Sequence, residues 1–141
     1  MKEIASKTIM IAGGGRIGRR LAESLEGKFD LKIIEINKDR CIYLSEKLDS
    51  SLVLNGDSSD SALLEEENIE KTDFFCSVTD DDEANVMSSM LAKKMGAKKS
   101  LSLVNKNAYL DLISKEQIDI TINPSEICLL YTSPSPRDSR K

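Results

Sequence analysis

Three glycines separate a short apolar run from a helical pattern near the start of this chain. Residues 9–12 are all apolar, and residues 16–27 carry apolar side chains at helical spacing. Gly13, Gly15 and Gly18 spell G-x-G-x-x-G at this junction. A glycine-rich turn that leads from a strand straight into a helix is typical of open α/β sheets. This turn therefore favours a fold assembled from β-α-β units.

Short aliphatic runs and helical patterns alternate along the rest of the chain. Strands are predicted near residues 8–12, 31–36, 51–54, 73–78, 100–104 and 118–122, and helices near 16–27, 38–49, 60–67, 80–95 and 107–115. This spacing predicts parallel strands joined by right-handed crossovers. The expected fold is a Rossmann-like α/β domain, a doubly wound parallel sheet of about six strands with helices on both faces. Met87, Met90, Leu91 and Met95 share one helical face and are expected to fill the core.

Composition excludes several functional classes. The 141 residues are 40% hydrophobic and 31% charged, with a formal net charge of −4, which suits one ordinary domain. No apolar run approaches the roughly 20 residues that span a bilayer, and "MKEIASK" lacks the apolar segment of a signal peptide. The cysteines form no C-x-x-C pair, which argues against a disulfide framework or a thiolate metal site. The sequence has no basic stripe with interleaved aromatic residues, so it gives no support to nucleic-acid binding.

The end of the chain differs in character from the rest. "YTSPSPRDSRK" is rich in Ser, Pro and Arg and has no periodicity, whereas the preceding "EICLL" looks like the start of a further helix. We expect residues 131–141 to be a tail derived from cloning and residues 1–130 to be the domain. The natural chain is expected to continue past Leu130.

The glycine turn predicts a phosphate site. Unpaired amides and the positive end of the helix dipole meet there. Gly13 permits the turn, Gly15 lets a pyrophosphate approach, and Gly18 lets the helix pack on the strand. Glu35 ends the second strand, 22 residues after Gly13, where a carboxylate binds ribose hydroxyls and disfavours NADP(H) relative to NAD(H) or an adenine mononucleotide. The alternatives are a plain tight turn and a solvent-facing acid; Arg16 either reaches phosphates or is simply exposed.

Two polar loops follow the third and fourth strands. In "NGDSSD", Asp57 and Ser58 could face adenine, or Asp57 could be a turn residue with Ser59 or Asp60 capping the next helix. In "SVTDDDEANV", Thr79 and Asp80 are candidates both for the N-cap of the following helix and for nucleotide contact. Both loops are expected at the carboxyl edge of the sheet, where open α/β sheets bind ligands.

The chain resembles the RCK family, also called KTN or TrkA-N. The resemblance rests on four segments taken together: "IMIAGGGRIGRRLAESL", "KIIEINKDRCIYLSEKL", "GDSSD" and "TDDDEAN". Members of this family are regulatory nucleotide-binding domains of bacterial potassium transport systems. The resemblance implies that the glycine turn takes the phosphates, Glu35 the ribose, and Asp57 with Ser58 the adenine side. It also implies that Thr79 and Asp80 lie near the distal end of the ligand. The candidate binding residues are Gly13, Gly15, Arg16, Ile17, Gly18, Glu35, Asp57, Ser58, Thr79 and Asp80.

The function that this resemblance implies is regulatory binding without catalysis. The expected ligands are NAD(H), ATP or ADP, and the expected partners are further copies of the domain and a membrane-embedded potassium transporter subunit. The expected location is the cytoplasm, at the inner membrane through that transporter. The alternative is the cofactor half of an NAD-dependent oxidoreductase, although the chain has no histidine to act as its acid or base. A third hypothesis, a redox sensor, would depend on Cys41 or Cys76.

Overall fold

A computed structural model describes residues 7–105 and 117–123 of the chain. Its strands are β1 (Thr8–Ala12), β2 (Asp30–Glu35), β3 (Leu52–Asn55), β4 (Phe74–Ser77), β5 (Lys99–Leu103) and β6 (Ile120–Ile122). Its helices are α1 (Arg16–Leu25), α2 (Lys38–Lys47), α3 (Ser61–Glu66) and α4 (Asp82–Lys94), with a 3₁₀ turn at Ile69–Lys71.

The six strands form one parallel sheet in the order β3-β2-β1-β4-β5-β6. The chain builds outward from β1 through β2 to β3, and then returns to place β4 on the other side of β1. The strand order therefore reverses between β1 and β4. A crevice opens at such a reversal, outside the carboxyl ends of the strands. The predicted Rossmann-like doubly wound sheet is confirmed.

Alternate residues of the central strands face two separate apolar layers. Ile9 and Ile11 pack in a cluster with Ala22 of α1 and Leu44 of α2. Met10 and Ala12 point to the opposite face, into a cluster with Leu64 of α3 and Ala92 of α4. Because both faces of the sheet are covered by helices, β1 is apolar along nearly its whole length. The two layers hold the carboxyl ends of β1 and β4 in place.

The element predictions differ from the structure in three respects. Helix α4 begins at Asp82, two residues later than predicted, since Asp81 and not Thr79 or Asp80 is its N-cap. The methionine interpretation is wrong for Met87, which is 65% exposed; Leu91 and Met95 do pack against the core. The face of α4 that is buried carries Asn85 and serines.

Three predictions concern residues outside the described part of the chain. These are the helix at 107–115, the helix that "EICLL" suggests, and the tail at 131–141. Within residues 7–105 and 117–123, no helix combines the length and the apolar character that crossing a membrane requires.

Candidate functional site

A cavity of about 780 Å³ lies at the carboxyl edge of the sheet, where the strand order reverses. Its size is within the range of small-molecule sites. It is lined by Gly13, Gly15, Arg16, Ile17, Ile34, Glu35, Ile36, Arg40, Gly56, Asp57, Ser58, Ser59, Val78, Thr79, Asp80, Asp81 and Ala84. The residues come from the ends of the strands, from the loops that follow them, and from the first turns of α1, α2 and α4.

The three glycines of the motif meet different steric requirements. Gly13 has φ +113°, which side chains with a Cβ rarely adopt. A Cβ on Gly18 would overlap the carbonyl oxygen of Gly13, so only glycine lets α1 pack this closely on the turn. At Gly15 the nearest heavy atom to an added Cβ is Arg40 Nη1, at 3.7 Å. Gly15 is therefore not required by the fold, and its open side faces the cavity.

Helix α1 differs from the other three described helices at its N-terminus. Its N-cap is Gly15, which provides no side-chain hydrogen bond. In contrast, the side chains of Asn37, Asp60 and Asp81 accept hydrogen bonds from first-turn amides of α2, α3 and α4. The predicted capping role of Asp60 is confirmed. The first residues of α1, Arg16 and Ile17, line the cavity, so its amide-rich end is directed at the space where an anion would dock.

Glu35 lies at the end of β2 and is only 5% exposed. The backbone amide of Gly14 donates to Glu35 Oε1 at 2.7 Å, and that of Asn37 donates to Oε2 at 2.8 Å. The alternative of a solvent-facing strand-end acid is therefore wrong. A carboxylate has about four lone-pair sites, so two acceptor positions remain beyond the two amide contacts, and Glu35 lines the cavity. The amides fix the position of the carboxylate at the cavity wall.

Arg40 is the basic residue of the cavity that the sequence motifs did not identify. It lies in the first turn of α2, with its Nη1 3.8 Å from Glu35 Oε1 and its side chain 48% exposed. Nη1 would lie 3.7 Å from a Cβ on Gly15, so the guanidinium lies beside the glycine turn. The helix after β2 has to begin beside the cavity in this topology. The position of Arg40 in the first turn of that helix could therefore have indicated from the sequence that it lies at the cavity.

The loop after β3 places Asp57, Ser58 and Ser59 at the cavity. Asp57 Oδ1 accepts hydrogen bonds from the Ser59 amide at 2.9 Å and the Ser59 hydroxyl at 2.7 Å. These two bonds lower the pKa of Asp57 below its ordinary value. The turn role of Asp57 is confirmed, and its contact with adenine remains a prediction. The Ser58 hydroxyl is 2.9 Å from the hydroxyl of Ser88 on α4.

The loop after β4 forms the opposite side of the cavity. The Thr79 hydroxyl donates to Asn85 Oδ1 at 2.7 Å and accepts from the Asp81 amide at 3.1 Å. Its methyl carbon lies where a Cβ on Gly13 would approach to 2.8 Å, so Thr79 packs against the glycine turn. Asp80 and Asp81 are exposed and add negative charge to this end. The cavity is thus basic near Arg16 and Arg40 and acidic near β4.

Nine of the ten predicted binding residues line the cavity. The exception is Gly18, which contacts the turn from behind and acts through packing. Ile17 is 41% exposed and contributes an apolar wall. Residues that the sequence analysis did not select as binding residues but that line the cavity include Ile36, Arg40, Gly56, Ser59 and Asp81. Gly56 and Ser59 flank two selected residues, so the motif itself was a signal for them.

Two cysteines in the described part of the chain bear on the redox-sensor hypothesis. Cys41 and Cys76 are free and buried. Burial raises the pKa of the Cys76 thiol to about 11, and burial together with the Glu35 charge raises that of Cys41. Because the thiolate is the reactive form, neither side chain has the environment of a reactive cysteine.

The fold and the cavity define a doubly wound α/β domain with a ligand-sized crevice where its strand order reverses, and comparison with known proteins identifies its family. The TrkA-N domain family matches residues 9–124, and this chain belongs to that family. Among curated relatives, the Trk system potassium uptake protein TrkA of Halomonas elongata is 55% identical over 120 residues. TrkA of Vibrio alginolyticus is 48% identical over 120 residues. Each match covers 85% of this chain and 26% of the relative, so the chain spans about a quarter of their length.

Solved structures share the fold at low sequence identity. The GsuK channel bound to NAD matches with a TM-score of 0.77 and 17% identity, over 93% of this chain and 24% of that one. The TrkA-N domain of the Escherichia coli inner membrane protein ybaL matches with a TM-score of 0.77 and 14% identity, over 92% and 95%. The AMP-bound Kef C-terminal domain of Shewanella denitrificans matches with a TM-score of 0.70 and 18% identity, over 89% and 77%.

Proposed function

We propose that this chain is a nucleotide-sensing module of a bacterial potassium uptake regulator, and that NAD(H) or an adenine nucleotide binds in the cavity at the glycine turn. The observation that carries the proposal is the convergence of the amide-rich start of α1, Arg40 and the anchored Glu35 carboxylate on one cavity. The proposal is supported by relatives named Trk system potassium uptake protein TrkA. Solved proteins that contain this fold include the GsuK channel bound to NAD, GsuK bound to ADP and the Kef C-terminal domain bound to AMP.

The order of the strands sets the orientation of the ligand in the cavity. Phosphates dock at Gly13, Gly15 and the first turn of α1, with Arg16 and Arg40 as flanking cations. The adenosine half then lies toward β2 and β3, with its ribose on Glu35 and its base near the Asp57 loop. A second nucleotide half, where the ligand has one, extends toward Thr79 and Asp80 at the end of β4. A mononucleotide occupies the first half only.

Binding without turnover is the function that the chemistry of the cavity favours. A dehydrogenase needs a proton donor or acceptor beside the nicotinamide, commonly His, Lys, Tyr or a metal. The side chains of described residues that line the cavity are carboxylates, arginines, hydroxyls and aliphatic groups, and the chain has no histidine. We therefore favour a regulator over the oxidoreductase alternative.

Regulation requires that the ligand distinguishes two states of an assembly. The proposed partners are a second copy of this domain and a membrane-embedded potassium transporter subunit, which places the module in the cytoplasm at the inner membrane. Nucleotides shift such an assembly only through unequal affinity for its states. A tenfold difference supplies about 1.4 kcal/mol per site. Several sites in one assembly add their contributions.

The test is a panel of NAD, NADH, ATP and ADP titrated into the 141-residue chain by calorimetry, with its mass followed by light scattering. We expect saturable binding of at least one member, at one site per chain, and loss of binding in Gly15→Asp. Absence of binding across the panel contradicts the nucleotide site. Steady NADH oxidation with added carbonyl compounds would instead support the enzyme.

A further inference from the structure

The face of α4 that packs on the sheet is polar, whereas a helix on a sheet usually buries an apolar stripe. Its buried residues are Asp82, Asn85, Ser88, Ser89 and Ala92. The serines and the asparagine are at most 1% exposed, so their polar atoms need hydrogen-bond partners within the protein. Because hydrogen bonds are directional, they restrict the rotation of α4 about its own axis and its position on the sheet more than apolar contacts would.

Asn85 uses its full hydrogen-bonding capacity at the loop after β4 and at β5. Its Oδ1 accepts from the Thr79 amide at 2.8 Å and from the Thr79 hydroxyl at 2.7 Å. Its Nδ2 donates to the carbonyl of Thr79 at 2.9 Å and to that of Leu103 at 3.0 Å. Three of these four bonds hold Thr79, and the fourth ties the same amide to the end of β5. The position of Thr79 in the cavity is thus determined by Asn85.

Ser88 makes the corresponding contact with the loop after β3. Its hydroxyl lies 2.9 Å from that of Ser58, which lines the cavity. One turn of α4 therefore separates a residue that holds the β4 loop from a residue that holds the β3 loop. The helix itself is anchored to the sheet by Ser89, whose hydroxyl is 2.6 Å from that of Ser77 and donates to the Leu101 carbonyl at 3.0 Å.

We infer that Asn85 and Ser88 are positioning residues that set the two halves of the nucleotide site independently, Asn85 for the dinucleotide-specific half and Ser88 for the adenosine half. This inference rests on the proposed nucleotide binding. Thr79 follows β4, on the side of β1 away from Glu35, the side toward which the second half of a dinucleotide would extend. Ser58 lies at the end of β3, on the adenosine side. Selectivity between mononucleotide and dinucleotide is thereby controlled from the buried face of α4.

The test compares AMP and NAD as probes, by calorimetry, in Asn85→Ala and in Ser88→Ala, with unfolding by urea measured alongside. In Asn85→Ala we expect the NAD dissociation constant to rise about tenfold while that of AMP stays within about twofold. In Ser88→Ala both constants should rise by a similar factor while urea unfolding shows the variant to be fully folded without denaturant, so that the rise does not come from an unfolded fraction. Asn85→Ser places a hydroxyl at this buried position without burying a charge, and should raise the ratio of the NAD to the AMP dissociation constant by a smaller factor; it serves where Asn85→Ala does not fold.

A loss of structural stability alone would weaken AMP and NAD equally in the Asn85 variants, and that result overturns the inference while the proposed function stands. An unchanged pair of constants in Ser88→Ala overturns the role given to Ser88. Absence of AMP and NAD binding in the unaltered chain overturns the proposed function and this inference together. The supporting result is a raised ratio of the NAD to the AMP dissociation constant in the Asn85 variants only, together with an equal rise of both constants in Ser88→Ala.

Discussion

The backbone amide of Gly14 donates to Glu35 Oε1 at 2.7 Å, across 21 residues of sequence. This bond joins the glycine turn after β1 to the acid at the end of β2. The second oxygen of the same carboxylate accepts from the Asn37 amide, which leads into α2. The turn that would receive phosphates and the group that would receive ribose are therefore parts of one rigid unit, and a ligand meets both with little rearrangement.

Gly15 and Gly18 offer a matched pair of substitutions. Gly15→Ala places a methyl group in open space with its nearest neighbour 3.7 Å away, so we expect a change in unfolding free energy within about 1 kcal/mol. The methyl group would occupy the proposed phosphate approach, and ADP affinity should then fall at least about tenfold. Gly15→Asp should weaken binding further through charge repulsion.

Gly18→Ala is the contrasting control, because it should affect folding and not the space in the cavity. Its methyl group would overlap the Gly13 carbonyl oxygen, so we expect marked destabilisation or failure to fold. Urea unfolding and calorimetry distinguish the two variants. Wild-type ADP affinity in folded Gly15→Ala would place the phosphates elsewhere.

Glu35→Ala should affect both folding and binding. Removing the carboxylate leaves the Gly14 and Asn37 amides without their acceptor, which costs about 1–3 kcal/mol per buried donor. NADH affinity should fall by roughly 1.5–3 kcal/mol, the range for hydrogen bonds to charged groups. Titration with NADH and with an adenine nucleotide that lacks the ribose hydroxyls separates the causes. If Glu35 holds the ribose, the hydroxyl-free ligand loses much less affinity in Glu35→Ala than NADH does.

Arg40→Ala should weaken nucleotide binding with little effect on folding, because its side chain is half exposed and its contact with Glu35 is long at 3.8 Å. We expect a loss of about 1 kcal/mol in ADP binding, close to a fivefold change, that diminishes at high salt. Lys47→Ala is the matched control, since Lys47 is a cation on the same helix that lies over the Tyr43 ring and does not line the cavity. Equal losses in the two variants would indicate a general charge effect.

The burial of Cys76 should lower the free energy of unfolding at alkaline pH. Its pKa is raised from 9.0 in the unfolded chain to about 11 in the fold by burial. Between these values the unfolded state loses the thiol proton first, so the free energy of unfolding falls as pH rises. The contribution is about 1 kcal/mol at pH 10. Urea unfolding at pH 8 and pH 10 should show a smaller decrease in Cys76→Ala than in the parent, and identical decreases would contradict the burial of the thiol.

Local patterns in the sequence determined the strands, the parallel α/β class, the glycine turn and the acid at the end of β2, because side-chain periodicity and turn stereochemistry are properties of neighbouring residues. Only the tertiary structure decided which side chains meet across the cavity. Arg40 lies beside Gly15, and Ser88 contacts Ser58, because packing brings separate segments to one edge. It also decided that α4 turns its serines inward and Met87 outward. The face that a helix buries depends on the surface it covers, and that surface is formed by strands distant in the sequence.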